Sequence, residues 1–398
     1  MNTVTIGDVC ELIRGVSYKK DDASNVKSEE NAAILRANNI VNGCFEFNEL
    51  VFVPKSLVKD EQYIKKNEIM ITMSSGSKAH VGKVAIASTD MNCAFGAFCG
   101  KLIPHRELLS KYLYYLLIGS DFRTHIEQQC KGTNINNIKR DYILGYKIDL
   151  PSLEEQERIV TRIEELFSQL DSGVETLKKT QAQLAVYRQA VLKEAFENID
   201  ESVDMERIAT MIDPQPSHRT PPEVTDGIPY VGIGDIDYGC KKINFESARK
   251  VSLDVLKEHR DRYVLHSGDF VMGKIGTIGK PFLVELPQNY ALSANVILIQ
   301  PDADKIRPLF LFWQFSSPLI TEQLKNGANA TSQPAFGIKK ARLLKIRICE
   351  LERQDRILEY ISEKMSVCDS IEQTIDSALQ EAEALRQSIL KRAFEGGL

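Results

Sequence analysis

The sequence predicts a mixed α+β protein built twice. Two similar globular modules, residues 1–150 and 200–348, alternate with two long helices, 151–199 and 349–398, that pair as an antiparallel coiled coil with pseudo-two-fold symmetry. Three observations carry this reading. The stretch PSLEEQERIV at 151–160 returns as CELERQDRIL at 349–358, and the segments 151–197 and 349–395 align at a constant offset of 198 without a gap, with 18 identities in 47 positions. Both segments space their apolar residues by threes and fours, the period of a helix with one buried stripe. Charge divides the same way: residues 1–150 hold 19 basic and 17 acidic side chains and 201–348 again 19 and 17, whereas 151–200 hold 6 and 10 and 349–398 hold 6 and 11. Twice the offset is nearly the whole chain, so this is a tandem duplication and not a short solenoid repeat.

Each element follows from local chemistry. In module 1–150, the strand-and-turn patch LRANNIVNGCFEF precedes a second apolar strand within NEIMITMSSGSKAHVGKVAIA, then an aromatic-rich helix, KYLYYLLIGSDF, then the polar loop KGTNINN. Module 200–348 repeats the order with VGIGDIDYGCKKINF, GDFVMGKIGTIGKPFLV, PLFLFWQFSSPL and NGANATSQPAFG. Gly and Asn between apolar runs are turn signals. In the first long helix Ile163, Leu166, Leu170, Leu177, Leu184 and Val191 form the stripe, with Gly173 and Thr180 as weak points. In the second, Ile361, Cys368, Ile371, Ile375, Leu385 and Ile389 do the same. Ser152 with Glu155 fits a capping box, and Gly396-Gly397 is a stop. At 1.5 Å per residue each helix runs roughly 65 Å, and so long and narrow a stripe wants a partner helix, most simply its own copy. The alternative is that each helix packs only on its own module.

Composition excludes several classes. The eight cysteines never form a C-x-x-C pair, so a zinc site or a disulfide scaffold is not indicated. The first residues lack the charged and apolar regions of a signal peptide, and no stretch approaches the ~18 uninterrupted apolar residues of a membrane span, which points to a cytoplasmic chain. The histidines at 80, 105, 125, 218, 259 and 266 are scattered. VGIGDI lacks the third glycine of a dinucleotide loop, and HVGK and KIGTIGK lack the register of a phosphate loop. DPQP and TPPE do not supply the Asn/Asp-Pro-Pro-aromatic tetrapeptide of DNA amino-methyltransferases. No catalytic or metal-binding constellation emerges, and the chain reads as a non-enzyme. The helices stayed alike while the modules diverged, which is the logic of an adaptor that offers one surface twice and reads two targets. A coiled-coil scaffold that binds no nucleic acid is the rival reading.

At this point the chain resembles the specificity subunit of type I restriction-modification systems. The resemblance rests on LPSLEEQERIVTRIEELFSQLD at 150–171, its echo ELERQDRILEYISEKMSVCD at 350–369, the endings RQAVLKEAFE and RQSILKRAFE, and the pre-helix segment ATSQPAFGIKKARLLKIRI at 330–348. Two features depart from the family's habit. Asn67-Glu68 stands where a glycine-aspartate is usual, as at Gly268-Asp269, and KGTNINN replaces the S-Q-P form of the loop. The resemblance implies two target recognition domains that read a bipartite, asymmetric site on double-stranded DNA. It implies two docked methyltransferase subunits that carry S-adenosylmethionine and modify adenine, and two motor-nuclease subunits that use ATP and Mg. No cofactor is expected on this chain.

Polar and basic loop residues are the candidates for DNA contact, because Arg, Lys, Asn and Gln offer the donors and acceptors that distinguish base edges. In the first module these are Arg36, Asn38, Asn39, Ser77, Lys78, His80, Lys83, Asn134, Asn136 and Asn137. In the second they are Arg219, Lys274, Thr277, Lys280, Asn329, Thr331, Ser332 and Gln333. Each could instead be a solvated or turn-forming side chain. For the methyltransferase surface the helix positions shared by both copies are Glu154/Glu352, Gln156/Gln354, Arg158/Arg356 and Phe196/Phe394. Their alternative is internal: a capping turn at one end and an anchor onto a module at the other.

Overall fold

A computed structural model of the chain describes residues 2–76, 80–129, 137–217, 219–275, 278–327 and 335–397. The chain divides into two compact units, Met1–Leu177 with Ser377–Leu398, and Lys178–Asp376. Each unit therefore combines one module with half of each long helix, which regroups the segments of the sequence division.

In the first unit a four-stranded antiparallel sheet runs in the order Cys10–Arg14, Cys99–Pro104, Ile69–Thr72, Val84–Ile86. A three-stranded sheet sets Asn31–Leu35 between antiparallel Val51–Pro54 and parallel Cys93–Phe95. Asn2–Thr5 pairs with Lys147–Leu150, so the module closes where its helix begins. Ile69–Thr72 is buried throughout, which is why it reads as a continuous apolar run with no alternation.

The second unit repeats this plan strand for strand. Its four-stranded sheet is Ala209–Ile212, Val296–Pro301, Phe270–Gly273, Pro281–Leu283. Ile228–Val231 lies between antiparallel Arg249–Val251 and parallel Ala291–Leu292, and Ser202–Asp204 pairs with Lys345–Arg347. A helix at Leu253–Arg262 stands where the first module has 3-10 turns at Lys55–Leu57 and Asp60–Gln62. The departure at Asn67-Glu68 preserves the turn. Asn67 has φ 67° and Gly268 φ 91°, and asparagine is among the few residues that tolerate this left-handed region. Glu68 then accepts the N–H of Lys65 at 2.6 Å as Asp269 accepts that of His266 at 2.8 Å.

The long helices are Leu153–Glu197, of 45 residues, and Leu351–Phe394, of 44. Ser152 Oγ accepts the N–H of Glu155 at 3.3 Å. The Glu155 carboxylate turns instead to Arg158 at 2.7 Å, so half of the expected box forms. Gly396, at φ 78°, ends the second helix, and the N–H of Gly397 bonds back to the Arg392 carbonyl at 2.8 Å. Within each unit the helix segments run antiparallel. In the second, Gln181 meets Asp376, Arg188 meets Asp369 and Glu372, Glu194 meets Tyr360 and Asn198 meets Arg353. In the first, Arg386 bonds Asp171 and lies 4.4 Å over the Phe167 ring. The pairs Arg188–Asp369 and Arg386–Asp171 are one contact written twice at the offset of 198.

Two stripe residues depart from expectation. Ile371 is 39% and Leu385 50% exposed, whereas Ile361, Cys368, Ile375 and Ile389 are buried. The seam follows the fourth residue after each heptad core position, not the third. Glu372 and Arg386 occupy those places and make the cross-helix ion pairs, so the neighbouring Ile371 and Leu385 turn outward.

Candidate nucleic-acid interface

The residues nominated for partner docking separate into buried and exposed sets. Gln156 and Gln354 are 0% exposed and are not docking positions. Gln156 Oε1 accepts the N–H of Leu109 at 2.8 Å, and its Nε2 donates to the carbonyls of Glu107 and Pro151 at 2.9 and 3.0 Å. Gln354 does the same for Arg307, Lys305 and Cys349, each 198 positions on. These amides satisfy the loop that starts the aromatic-rich helix and the first turn of the long helix, groups that could not be left unpaired in the interior. Phe196 is likewise fully buried, 5.3 Å edge-on from Phe310, and Phe394 packs 5.3 Å from Tyr112. Both phenylalanines anchor the helix end onto a module. Glu154, Arg158, Glu352 and Arg356 remain exposed on the helix starts.

The nominated loop segments converge. In the first unit Ser74 and Asn137 form an isolated β-bridge, and the N–H of Ile138 bonds the Met73 carbonyl at 2.7 Å. In the second, Ile275 bridges Ala335, and the N–H of Phe336 bonds the Lys274 carbonyl at 2.9 Å. In both units the turn that leaves the central sheet strand meets the end of the pre-helix loop at equivalent places. Ser77, Lys78, Asn134, Asn136, Thr277, Asn329, Thr331, Ser332 and Gln333 lie outside the described residues, between these anchor points in the chain.

The remaining candidates divide by what their side chains touch. Asn137 is exposed, and His80 Nδ1 stands 3.4 Å from the Ala37 carbonyl, which ties the Arg36–Asn39 turn to His80. Asn38 is exposed and Lys83 half-buried. Arg36 is half-buried and donates from Nη2 to the Glu49 carbonyl at 2.8 Å. Asn39 is not a contact residue: it is buried, accepts the N–H of Arg36 and donates to the carbonyls of Glu46 and Asn48. In the second unit Lys280 lies 3.9 Å over the Tyr238 ring, and Arg219 is exposed. Lys274 is largely buried and bonded to Asp213 at 2.8 Å, so its charge is committed within the protein.

A network that sequence reading missed organises the loop around Arg219. His259 is fully buried on the Leu253–Arg262 helix. One ring nitrogen meets Gln215 Oε1 at 2.9 Å and the other meets the Tyr263 hydroxyl at 2.9 Å. Gln215 Nε2 donates to Ser217 Oγ and to the Arg219 carbonyl, and Arg262 donates to the Pro214 carbonyl. Burial first, and the nearby Arg262 charge second, push the imidazole down from 6.5 to about 4. Protonation therefore favours the unfolded chain. Stability is full above pH 6.5 and falls as pH drops toward 4. The expected loss from this group is about 2 kcal/mol by pH 5. Denaturant midpoints across pH 7.5 to 4.5 check this: the wild type should lose more stability over that interval than His259→Gln, which has no titrating ring.

Basic residues were missed as well. Lys139 and Arg140 are exposed and follow Asn137 after the buried Ile138, and Arg140 donates to the Leu12 carbonyl at 2.8 Å. The signal was present: Ile138-Lys139-Arg140 and Ile338-Lys339-Lys340 follow the two polar loops. Among the described residues no group of three or more His, Cys, Asp or Glu side chains could hold a metal ion, and no helix is long and apolar enough to cross a membrane.

Comparison with known proteins agrees with this architecture. The Methylase_S family, type I restriction modification DNA specificity domain, matches residues 1–184 and 218–381. The chain is 32% identical over 413 residues to the Type I restriction enzyme EcoKI specificity subunit of Escherichia coli (strain K12), covering 99% of this chain and 88% of that protein. It is 30% identical to the StySPI specificity subunit of Salmonella potsdam, covering 100% and 89%. A chain from a solved type I R-M system shares the fold with a TM-score of 0.71 at 16% identity, covering 100% of this chain and 98% of that one. The HsdS subunit from Thermoanaerobacter tengcongensis gives a TM-score of 0.50 at 16% identity, covering 100% and 97%.

Proposed function

The chain belongs to the type I restriction-modification DNA specificity family, and on that premise we propose that it is the non-catalytic subunit that tells a methyltransferase which DNA sequence to modify. Each module reads one half of a bipartite, asymmetric site on double-stranded DNA. The observation that carries this reading is the matched pair of bridges, Ser74–Asn137 and Ile275–Ala335, at which the polar segments of each module meet. Two such edges built on one plan but lined by different residues suit two different half-sites.

The helices serve the partners. Glu154, Arg158, Glu352 and Arg356 are exposed at equivalent places, so one kind of subunit can dock twice. Two methyltransferase subunits would bring S-adenosylmethionine and the adenine chemistry. Two motor-nuclease subunits with ATP and Mg would complete the restriction complex. The modules are nearly neutral, each with only two basic residues in excess, whereas phosphate contacts dominate affinity for DNA. The methyltransferases are therefore expected to supply much of the backbone grip.

Fluorescence anisotropy on a duplex carrying the modified motif tests this. The isolated chain should bind weakly. Addition of the methyltransferase subunits should tighten binding at least ~100-fold and steepen its dependence on salt. Equal affinity and equal salt slope with and without those subunits would contradict the division of labour.

A further inference from the structure

We propose that Phe98 is a specificity-determining residue of the first module, which reads the 5-methyl group of a thymine in that module's half-site. The inference rests on the DNA-reading function just proposed and names one of its contacts.

Phe98 is 70% exposed, yet its backbone is held on both sides. Its carbonyl accepts the N–H groups of Met73 and Ser74, each at 2.9 Å, while Ala97 N–H bonds the Val16 carbonyl at 2.9 Å and Cys99 N–H bonds the Gly96 carbonyl at 2.8 Å. The turn also presses on its neighbour: a Cβ at Gly15 would stand 2.3 Å from the Gly96 carbonyl oxygen. An aromatic ring displayed to solvent from a pinned turn carries contact area at small conformational cost. Loose surface phenylalanines need no explanation, but this one is tied to the strand that leads into a candidate reading segment.

Its surroundings suit a nucleic acid. Phe98 borders a cavity of about 450 Å³ shared with Arg14, Ser74, Asn137, Lys139 and Arg140. The cavity thus opens at the Ser74–Asn137 bridge, where the polar segments of this module meet. Basic groups there can hold phosphates, and Ser74 and Asn137 can meet base edges. An apolar ring among them has one natural target in the major groove. The thymine methyl is the apolar group that distinguishes A·T from the other pairs.

The second module confirms that the position is free to differ. The carbonyl of Asn295 accepts the N–H of Lys274 at 2.8 Å, the bond equivalent to Phe98 with Met73. The Asn295 side chain turns inward, accepting the N–H of Ile233 at 3.2 Å and a bond from Ser293. One backbone node thus displays a phenylalanine in one module and, in the other, an asparagine whose side-chain oxygen is bonded within the protein. That is how a duplicated scaffold would come to read two sequences.

The test replaces thymine by uracil, which removes only the methyl, at each A·T pair of the half-site read by residues 1–150. Binding is measured for the full complex with methyltransferase subunits, with wild-type chain and Phe98→Ala. One substitution should weaken wild-type binding about fourfold, the worth of one buried methyl-sized group, and leave the Phe98→Ala complex unaffected. Unchanged thermal unfolding of the variant verifies that it folds. If wild type binds its motif specifically but no uracil substitution distinguishes the two proteins, or if the half-site holds no A·T pair, the assignment of Phe98 is wrong and the DNA-reading function stands. Absence of sequence-specific binding by the wild-type complex overturns both.

Discussion

Phe196→Ala is expected to destabilise the unit formed by residues 178–376 by about 3–5 kcal/mol, the range for emptying a large buried aromatic site. Phe196 is fully buried among Val191, Leu192, Ile199, Phe310, Leu311 and Ile346, elements drawn from the helix end, the chain that leaves it and the second module. Its ring meets Phe310 edge-on at 83°, a favourable aromatic geometry that alanine also forfeits. Phe394→Ala removes the equivalent anchor from the first unit, but Phe394 is only partly buried against Tyr112, so its loss should cost less, about 2 kcal/mol. Denaturant titration of both variants ranks the two. An equal or reversed order would show that helix anchoring does not depend on burial as described.

Replacement of residues 1–150 by a second copy of 200–348 should convert the modified motif from asymmetric to symmetric, with the half-site of the second module appearing twice. The exchange is structurally conservative. Asn2–Thr5 pairs with Lys147–Leu150 and Ser202–Asp204 with Lys345–Arg347, so each module closes on itself with its ends side by side. The contacts to the helices are also matched. A transplanted Phe310 would face Phe394 where Tyr112 stood, and the loop of Lys305 and Arg307 would meet Gln156 as it now meets Gln354. The pair lost is Lys111 with Glu164, since Leu309 stands at the equivalent place, and it is an exposed bridge of small worth. Mapping of modified adenines reads the outcome directly. Retention of the original asymmetric motif would contradict the assignment of one half-site to each module.

The large-scale architecture was legible in the sequence because duplication and helix period are redundant signals. Eighteen identities at one offset, and two stretches of over forty residues without an internal proline, leave few alternatives to paired helices. The regrouping of each module with half of both helices was not read from the sequence; it accompanies the antiparallel pairing that places Arg386 against Asp171 and Arg188 against Asp369. Individual side chains were harder. Gln156 and Gln354 look like surface residues because glutamine in a first helical turn is usually solvated, and the carbonyls they satisfy lie up to 49 positions away. Asn39 has the residue type of a base reader and the environment of a turn lock. Ile371 and Leu385 fit the spacing but lost their places in the seam to Glu372 and Arg386, whose ion pairs no periodicity reports. His259 had no local signature because its partner Gln215 is 44 positions distant.

Adenine modification across the genome of the source strain, with this gene present and deleted, tests the central claim most directly. The account predicts that one split, asymmetric motif loses its modification on deletion and regains it on complementation, while other motifs persist. An unchanged pattern, with the cognate methyltransferase subunit shown to be made and active, would contradict a role in DNA specificity and leave a helical scaffold without a DNA target.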